Sequence, residues 1–189
     1  MKETIRKELT EKRKKLTKKI VLEKSKQIKD TLFNLQEFKK ADTILFYVSY
    51  DNEVSTHDMI KKCLSYGKNV VVPISNKEDN SLTLSKIEKW ADLKPGSFDI
   101  LEPKKDKTKE VSIYDIDLTI IPGVGFDEQG FRLGQGFGYY DKLLKNSTNA
   151  ITVGLAFEIQ IVEKIPIEPH DLPVDLIITE KRVIRCKDR

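Results

Sequence analysis

In the first half of the chain, apolar segments of strand length alternate with a helical segment, and this pattern limits the folds that are possible. DTILFYVS at residues 42–49 and NVVVPIS at residues 69–75 are almost continuously apolar, which is typical of strands buried on both faces of a parallel sheet. Between them, STHDMIKKCLSYG predicts a helix that Ser55 or Thr56 caps and Gly67 closes. A strand, a helix and a strand within about thirty residues make a βαβ unit.

Other segments extend this pattern. Residues 3–38 repeat isoleucine and leucine at helical intervals, which predicts one or two amphipathic helices, the second capped by Thr17. Residues 94–110 have the turn residues and charge of an exposed loop. Further strands are predicted for LTLSKI at 82–87, DLTIIPG at 117–123, ITVGLAF at 151–157 and VDLIITE at 174–180, with a short edge at VIRC, 183–186.

The alternation predicts a single α/β domain over residues 1–189. We expect a three-layer α/β/α arrangement with a mainly parallel central sheet, Rossmann-like, preceded by N-terminal amphipathic helices. In such sheets ligands bind at the carboxyl ends of the strands.

Charge is unevenly distributed along the chain. The net charge is +4, but residues 1–40 carry 14 lysines and arginines against six acidic residues, a net +8. A basic segment of this kind suits nucleic acid, the phosphates of a small ligand, or a solvated helix face, and composition leaves all three open.

Two absences narrow the function class. Cys63 and Cys186, the two cysteines, have neither metal-ligand nor redox spacing, so the sequence supports no zinc site and no disulfide framework. No apolar run reaches the length of a membrane span, and the N-terminus has no signal-peptide core. We therefore expect a cytoplasmic protein without a membrane partner.

The stretch RLGQGFGYYD, residues 132–141, is the clearest site candidate. Gly134, Gly136 and Gly138 precede a predicted helix, so their N–H groups and the positive end of the helix can converge on an anion. The spacing matches neither the dinucleotide fingerprint nor the phosphate loop that ends in Gly-Lys-Ser/Thr, and it follows a hairpin that turns at Gly130. A tight turn without a ligand is the alternative.

Polar residues around these glycines suggest phosphoryl chemistry. Arg132, expected to be an exposed loop residue, can stabilise charge on a phosphoryl group, and Asp141 is a hard oxygen ligand for Mg²⁺. Asp171 could complete that site, with a turn-forming role as its alternative. Tyr139 and Tyr140 are adjacent in the helix, so we expect one to join the core and the other to contact a ligand.

A carboxylate follows the first strand. Glu53 could recognise the paired N–H donors of a heterocycle, and its alternative is a solvated loop acid. Neither His57 nor His170 is assigned a catalytic role, and with only two histidines a histidine-centred hydrolase is disfavoured.

The chain resembles the 5-formyltetrahydrofolate cyclo-ligase family, also called methenyltetrahydrofolate synthetase. The longest matching segment is the most specific, because strand end, hairpin and glycine loop follow the family's order and spacing. The resemblance covers nearly the whole chain and is carried by KETIR, EVST, GSFDILEP, IIPGVGFDEQGFRLGQGFGYYD, GLAFEIQ and IPIEPHDLPVDLIITE.

The resemblance implies an enzyme that uses ATP and Mg²⁺ to convert 5-formyltetrahydrofolate to 5,10-methenyltetrahydrofolate, releasing ADP and phosphate. A formamide oxygen is a poor leaving group. Transfer of the γ-phosphoryl group onto it creates an activated carbon that folate N10 can attack, so the protein has mainly to position substrates and neutralise charge.

By position, the resemblance also implies a site map. Mg²⁺ would be held by Asp141 and Asp171, and folate by Glu53 near Val48. Phe98 and Tyr139 would flank the folate, while Arg132 and Tyr140 would be catalytic. ATP would contact Lys2, Arg6, Arg132, Leu133, Gly134, Gln135, Gly136, Phe137, Gly138, Tyr139 and Tyr140.

One departure and two alternatives stay open. Relatives often carry basic or small residues where this chain has Gln135 and Phe137, which leaves Lys2, Arg6 and Arg132 to carry more of the phosphate charge. The alternatives are a paralogue acting on another formylated or pterin-like metabolite, and a nucleic-acid-binding module that uses the basic segment. The cyclo-ligase reading expects a reduced folate and ATP as partners, no nucleic acid, and a monomer.

Overall fold

The computed structural model describes residues 1–96, 99–146, 149–169 and 171–186. Its helices are α1 (Lys2–Lys14), α2 (Lys18–Asn34), α3 (Gln36–Lys40), α4 (His57–Ser65) and α5 (Tyr139–Asn146). Its strands are β1 (Thr43–Leu45), β2 (Asn69–Asn76), β3 (Ser81–Ile87), β4 (Leu93–Pro95), β5 (Leu101–Pro103), β6 (Leu118–Ile121), β7 (Gly125–Asp127), β8 (Arg132–Leu133), β9 (Ile151–Leu155), β10 (Ile161–Val162), β11 (Leu176–Ile178) and β12 (Val183–Arg185).

The central sheet has the order β12-β11-β9-β6-β1-β2-β3. Its strands from β11 to β2 are parallel, while β12 and β3 are antiparallel edges. Counted in chain order, the parallel strands follow the 2-1-3-4-5 order of flavodoxin-like folds. The mainly parallel sheet is thus confirmed, and the Rossmann-like prediction is refined to this other doubly wound order.

Alternate side chains of each strand enter different cores, as the period of two requires. Ile44 and Val70 pack with apolar residues of α2 and α4 on one face. Leu45 and Val71 pack with Leu143 of α5 on the other. Helices therefore cover both faces, and the three-layer prediction is confirmed.

The N-terminal segment is helical as predicted, with α3 added after α1 and α2. Thr17 caps α2 through a hydrogen bond to its main chain, and Gly67, at φ +75°, lies just past α4. Thr56 stands at the start of α4 but does not cap it with its side chain. Its hydroxyl instead donates to the Tyr47 carbonyl at 2.7 Å and accepts from the Ser49 amide at 3.0 Å.

The segment predicted to be an exposed loop contains a small hairpin. Strand β4 pairs with β5 in antiparallel register, and Glu102 on β5 accepts a hydrogen bond from the Ser75 amide at 3.0 Å. This bond ties the hairpin to the carboxyl-terminal part of β2. Strands of three residues are too short to show a period in sequence, so the prediction missed them.

The hairpin of β7 and β8 is confirmed, with Gly130 at φ +93° in its turn. Asp127 fixes this turn with a buried carboxylate. It accepts hydrogen bonds from the amides of Gln129 at 3.1 Å, Phe131 at 3.0 Å and Ile165 at 3.0 Å. The conspicuous FDEQG segment therefore has a structural role beside the site.

We expect Asp127→Ala to lower the free energy of unfolding by about 3 kcal/mol, because buried N–H groups that lose their acceptor cost roughly 1–3 kcal/mol each. Chemical denaturation would measure the change. The control Asp115→Ala removes an exposed acid and should change stability by less than about 0.5 kcal/mol. Equal effects of the two substitutions would contradict the role assigned to Asp127.

Cys63 and Cys186 are free thiols, and burial raises the pKa of Cys63 to about 12. Across the residues that the structure describes, no helix is long and apolar enough to cross a membrane.

Candidate active site

A cavity of about 460 Å³ opens at the carboxyl ends of the parallel strands, within the range of small-molecule sites. It lies between the neighbouring strands β1 and β6, whose following connections pass over opposite faces of the sheet. The connection after β1 runs through α4 on one face of the sheet, and the connection after β6 runs through α5 on the other. Such a switch point leaves a crevice between the two strands, which is where doubly wound folds bind ligands.

The cavity brings together every predicted site residue that the structure describes. Phe98 and His170 lie outside the described residues. The predicted residues on the cavity wall are Lys2, Arg6, Val48, Glu53, Arg132, Leu133, Gly134, Gln135, Gly136, Phe137, Gly138, Tyr139, Tyr140, Asp141 and Asp171. Their individual roles stay predictions.

The glycine loop, residues 134–138, turns its main chain toward the cavity. Gly136 and Gly138 have φ of +102° and +75°, a region that glycine enters with little strain. The amides of Gly134, Gly136 and Gly138 donate to no acceptor among the described residues. With the start of α5 directly behind them, these N–H groups can receive an anion.

The prediction that Arg132 is an exposed loop residue is wrong. The residue lies on β8 with a side chain only 6% exposed, forms an ion pair with Asp141, and holds its guanidinium 5.7 Å from the centre of the Tyr140 ring. Its buried Nε has no hydrogen-bond partner among the described residues. A buried donor without an acceptor is costly, so this guanidinium has capacity for an anionic ligand.

Space around that guanidinium depends on Gly134. A Cβ atom at this position would lie 2.5 Å from Arg132 Nη1, closer than packed atoms come. From the other side, Arg6 Nε donates to the Gly134 carbonyl at 2.8 Å. The bare main chain therefore lets two arginines flank the same loop.

Each predicted metal ligand is held by a cation. Arg132 pairs with Asp141, and Lys2 Nζ lies 2.9 Å from Asp171 Oδ2 and 3.4 Å from Glu168 Oε1. Asp171 also accepts from the Glu168 amide at 2.8 Å, so its turn-forming alternative is realised as well. Among the described residues no group of three or more histidine, cysteine or acidic side chains forms a metal cage.

Glu53 is half-buried in the turn after β1. The alternative of a solvated loop acid therefore does not describe its position. Its Oε2 accepts from the Tyr50 amide at 3.1 Å. Desolvation raises the pKa of this carboxyl to about 7, although the charge of Arg13 and the Tyr50 hydrogen bond lower it in part. Burial, and then the charge of Glu53, likewise raise the pKa of Tyr140. Glu53 is thus poised to change its charge near neutral pH.

Both tyrosines of the glycine-loop segment line the cavity, and Tyr140 is the one that joins the core, as predicted for one of the pair. Tyr140 also packs against all three apolar clusters of the sheet. Because α5 begins at the rim of the cavity, its first residues contact both the cavity and the hydrophobic core.

Other wall residues were missed by the sequence analysis. Five follow the end of β1 or β6 and two lie in the second half of β2, so the carboxyl-end rule could have found these seven. The other four, Leu82, Ile100, Glu102 and Glu168, gave no signal. The missed residues are Tyr47, Tyr50, Pro73, Ser75, Leu82, Ile100, Glu102, Pro122, Gly123, Val124 and Glu168.

Gln160 supports this wall from behind. It is buried, and its Nε2 donates to the carbonyls of Gly123 at 2.9 Å and Val124 at 3.0 Å. Its Oε1 accepts from the Phe157 amide at 2.9 Å. This side chain fixes the chain where it leaves β6.

Comparison with known proteins gives a consistent result. Residues 1–180 match the profile of the 5-formyltetrahydrofolate cyclo-ligase family. The chain is 35% identical to 5-formyltetrahydrofolate cyclo-ligase of Haemophilus influenzae, covering 77% of this chain and 80% of the relative. It is 34% identical to the protein of the same name from Escherichia coli K12, covering 76% and 80%.

Solved structures agree. The NMR structure of Aquifex aeolicus 5,10-methenyltetrahydrofolate synthetase superposes with a TM-score of 0.87 at 34% identity, covering 100% of this chain and 94% of the other. The Mycoplasma pneumoniae 5,10-methenyltetrahydrofolate synthetase gives 0.77 at 25% identity, covering 95% and 98%.

Proposed function

The chain belongs to the 5-formyltetrahydrofolate cyclo-ligase family, and we propose that it uses ATP to cyclise 5-formyltetrahydrofolate to 5,10-methenyltetrahydrofolate. The reaction would release ADP and phosphate. One observation carries the proposal. The buried Arg132, with an unpartnered Nε, stands beside a bare glycine loop in the cavity that also contains Glu53.

The triphosphate would lie against the glycine loop. Amides of Gly134, Gly136 and Gly138 would receive phosphate oxygens, and the cations of Lys2 and Arg6 would approach from α1. Arg132 would stabilise the charge that develops on the transferred phosphoryl group, with Tyr140 packed below its guanidinium. Gln135 and Phe137 bring no cation to the loop, so those three basic residues would carry the charge.

The reduced folate would lie where the wall becomes less basic. Glu53, when ionised, can accept the ring N–H and exocyclic amino hydrogens of the pterin as a pair of charge-assisted hydrogen bonds. Val48 and Tyr139 line the same cavity and would supply apolar contact. The site would thus hold the two substrates at different ends of one cavity.

The chemical step then needs little beyond positioning. The formyl oxygen bonds to the γ-phosphorus as the bond to ADP breaks; N10 next attacks the formyl carbon, the phosphate leaves with that oxygen, and N10 gives up its proton. Arg132 and the loop amides would neutralise charge on the phosphoryl oxygens, and the two bound substrates would displace water from the intermediate.

Asp141 and Asp171 fit a magnesium ion that arrives with a nucleotide. Mg²⁺ is commonly held by one or two carboxylates together with substrate phosphates, and these two carboxylates share the cavity wall. When bound, the ion would neutralise phosphate charge. Their present partners, Arg132 and Lys2, would then turn to the phosphates.

This exchange predicts that nucleotide binding depends on the metal. Calorimetry with a non-hydrolysable ATP analogue should give an affinity at least about tenfold weaker without Mg²⁺, because Asp141 and Asp171 would then face the phosphates uncompensated. In Asp141→Asn the dependence should shrink, whereas in Asp115→Asn it should stay. Equal affinities with and without Mg²⁺ in the unmodified protein would contradict this metal site.

The basic N-terminal segment has uses within the protein. Lys12 pairs with Glu8 at 2.7 Å, and Lys29 pairs with Asp58 at 2.5 Å, while Lys2 and Arg6 face the cavity. We therefore infer that the basic segment serves a small-molecule enzyme, and we propose that this enzyme is a monomer. Strongly salt-dependent RNA or DNA binding that survives Asp141→Asn would favour the nucleic-acid alternative.

A direct assay tests the proposal. Protein, ATP, Mg²⁺ and 5-formyltetrahydrofolate are mixed, and near-ultraviolet absorbance of the methenyl product is followed, with ATP omitted as the control. ATP-dependent absorbance supports the proposal. Nucleotide binding without product would instead favour a paralogue with another formylated or pterin-like substrate.

A further inference from the structure

A second cavity, of about 330 Å³, lies beside β3 at the edge of the central sheet. Its wall is formed by the first half of β3, by the segment 110–113 and by α5, and we call it the edge groove. Leu82 and Tyr139 line both the edge groove and the active-site cavity. The two spaces therefore share a wall, and a ligand can extend from one into the other.

The active-site cavity is small for two substrates. A cavity of about 300–1,000 Å³ typically accommodates one drug-sized ligand, whereas this cavity of about 460 Å³ would hold ATP and a reduced folate together. Its wall includes Glu53 after β1, Pro73 on β2 and Leu82 on β3. Because neighbouring strands are about 4.8 Å apart, β3 lies roughly 10 Å from β1. A folate held at Glu53 would therefore reach the edge groove with its far end.

The part of β3 that faces the edge groove has free main-chain groups. Further along the strand, the Lys86 amide donates to the Lys109 carbonyl at 2.9 Å, and the Leu84 carbonyl accepts from the Val111 amide at 3.0 Å, both on the side away from β2. Alternate residues of a strand point these groups to the same side, so those of Leu82 also point away from β2. Neither has a hydrogen-bond partner among the residues that the structure describes. Such an open edge can pair with an amide of a ligand.

Lys142 places a cation beside this edge. Its side chain lines the edge groove, and its Nζ donates to the main-chain carbonyl of Asp79, which lies just before β3. The Asp79 carboxylate accepts from the Ser81 amide at 2.9 Å. Glu110, an acid on the groove wall, lies opposite Ser85 and thus at the other end of the groove from Asp79. A ligand carboxylate near the start of β3 would therefore meet a lysine whose hydrogen bond is to a neutral carbonyl.

We propose that the edge groove is a subsite for the aminobenzoyl-glutamate tail of the reduced folate, an extended unit that carries a benzene ring, an amide and carboxylates. The ring packs against Leu82 and Tyr139, the amide pairs with the main chain of Leu82, and Lys142 binds a carboxylate. That the ligand is a folate rests on the proposed function. The subsite adds a determinant of recognition that is separate from the pterin contact of Glu53.

Lys142→Gln should weaken the binding of 5-formyltetrahydrofolate about fivefold, because an ion pair of a solvent-exposed lysine contributes on this scale. Affinity for a 5-formyltetrahydropterin that lacks the tail should stay the same, and calorimetry without nucleotide measures both ligands. Lys145→Gln is the matched control, since Lys145 is an exposed lysine of the same helix that does not line the edge groove. This control should bind both ligands as the unmodified chain does. An equal loss toward both ligands in Lys142→Gln, or no loss toward either, would overturn the subsite.

A second measurement does not depend on the reaction. The tail alone, aminobenzoyl-glutamate, is added to nitrogen-15-labelled protein, and the main-chain amides are followed by NMR. The signals of Leu82 and of the first turn of α5 should shift, and these shifts should shrink in Lys142→Gln but not in Lys145→Gln. If the unmodified protein binds no folate, the proposed function fails, and this fragment alone decides the subsite. Shifts at β3 then support it, and their absence overturns it.

Discussion

Arg132→Gln should lower kcat about 10³-fold. A guanidinium aimed at a transferring phosphoryl group contributes on this scale, because it meets charge that develops in the transition state inside a water-excluded site. The substitution should cost about 1 kcal/mol in stability, since Asp141 is 41% exposed and water can solvate it when its partner is gone. Steady-state kinetics and chemical denaturation on the same samples measure both.

Arg182 offers the matched control. It also pairs with carboxylates, Glu128 at 2.7 Å and Glu158 at 2.8 Å, but its side chain is 43% exposed and it does not line the cavity. Arg182→Gln should leave kcat within about twofold. If activity and stability fall together in Arg132→Gln, the arginine is a structural residue, and the catalytic role proposed for it is wrong.

Glu53→Gln should lower kcat/KM for 5-formyltetrahydrofolate about 10²- to 10³-fold, while the affinity for ATP stays the same. The amide keeps the shape of the carboxylate but presents a donor where the pterin also presents donors, which leaves buried N–H groups unpaired. A selective loss toward the folate supports the proposed function. A protein in which Glu53→Gln changes nothing would favour a paralogue with another substrate.

The same carboxylate predicts a pH dependence. Its pKa is raised from 4.5 to about 7 by desolvation, and the ionised form binds the substrate, so affinity should rise with pH up to about 7 and level off above it. Stability should run the other way. Between pH 4.5 and 7 the folded state holds a proton that the unfolded state has released, so the free energy of unfolding falls as pH rises. Glu53→Gln should remove both trends.

The larger elements of the fold and the proposed chemistry of the site could be predicted from the sequence. Continuous apolar runs such as NVVVPIS predicted the parallel strands, because a strand covered on both faces must be apolar at every position. The glycines at 134, 136 and 138 predicted an anion site, because the absence of a Cβ is itself the property that matters. The segment around them was distinctive enough to indicate the family.

The sheet order, the burial of Arg132 and the contacts of the basic side chains at the site depend on the tertiary structure. Lys2 meets Asp171, and Arg6 meets the carbonyl of Gly134, across more than a hundred residues of chain. Sequence periodicity reports only which side of its own element a residue faces. Desolvation, and with it the raised pKa of Glu53, depends on what distant segments bring to that side.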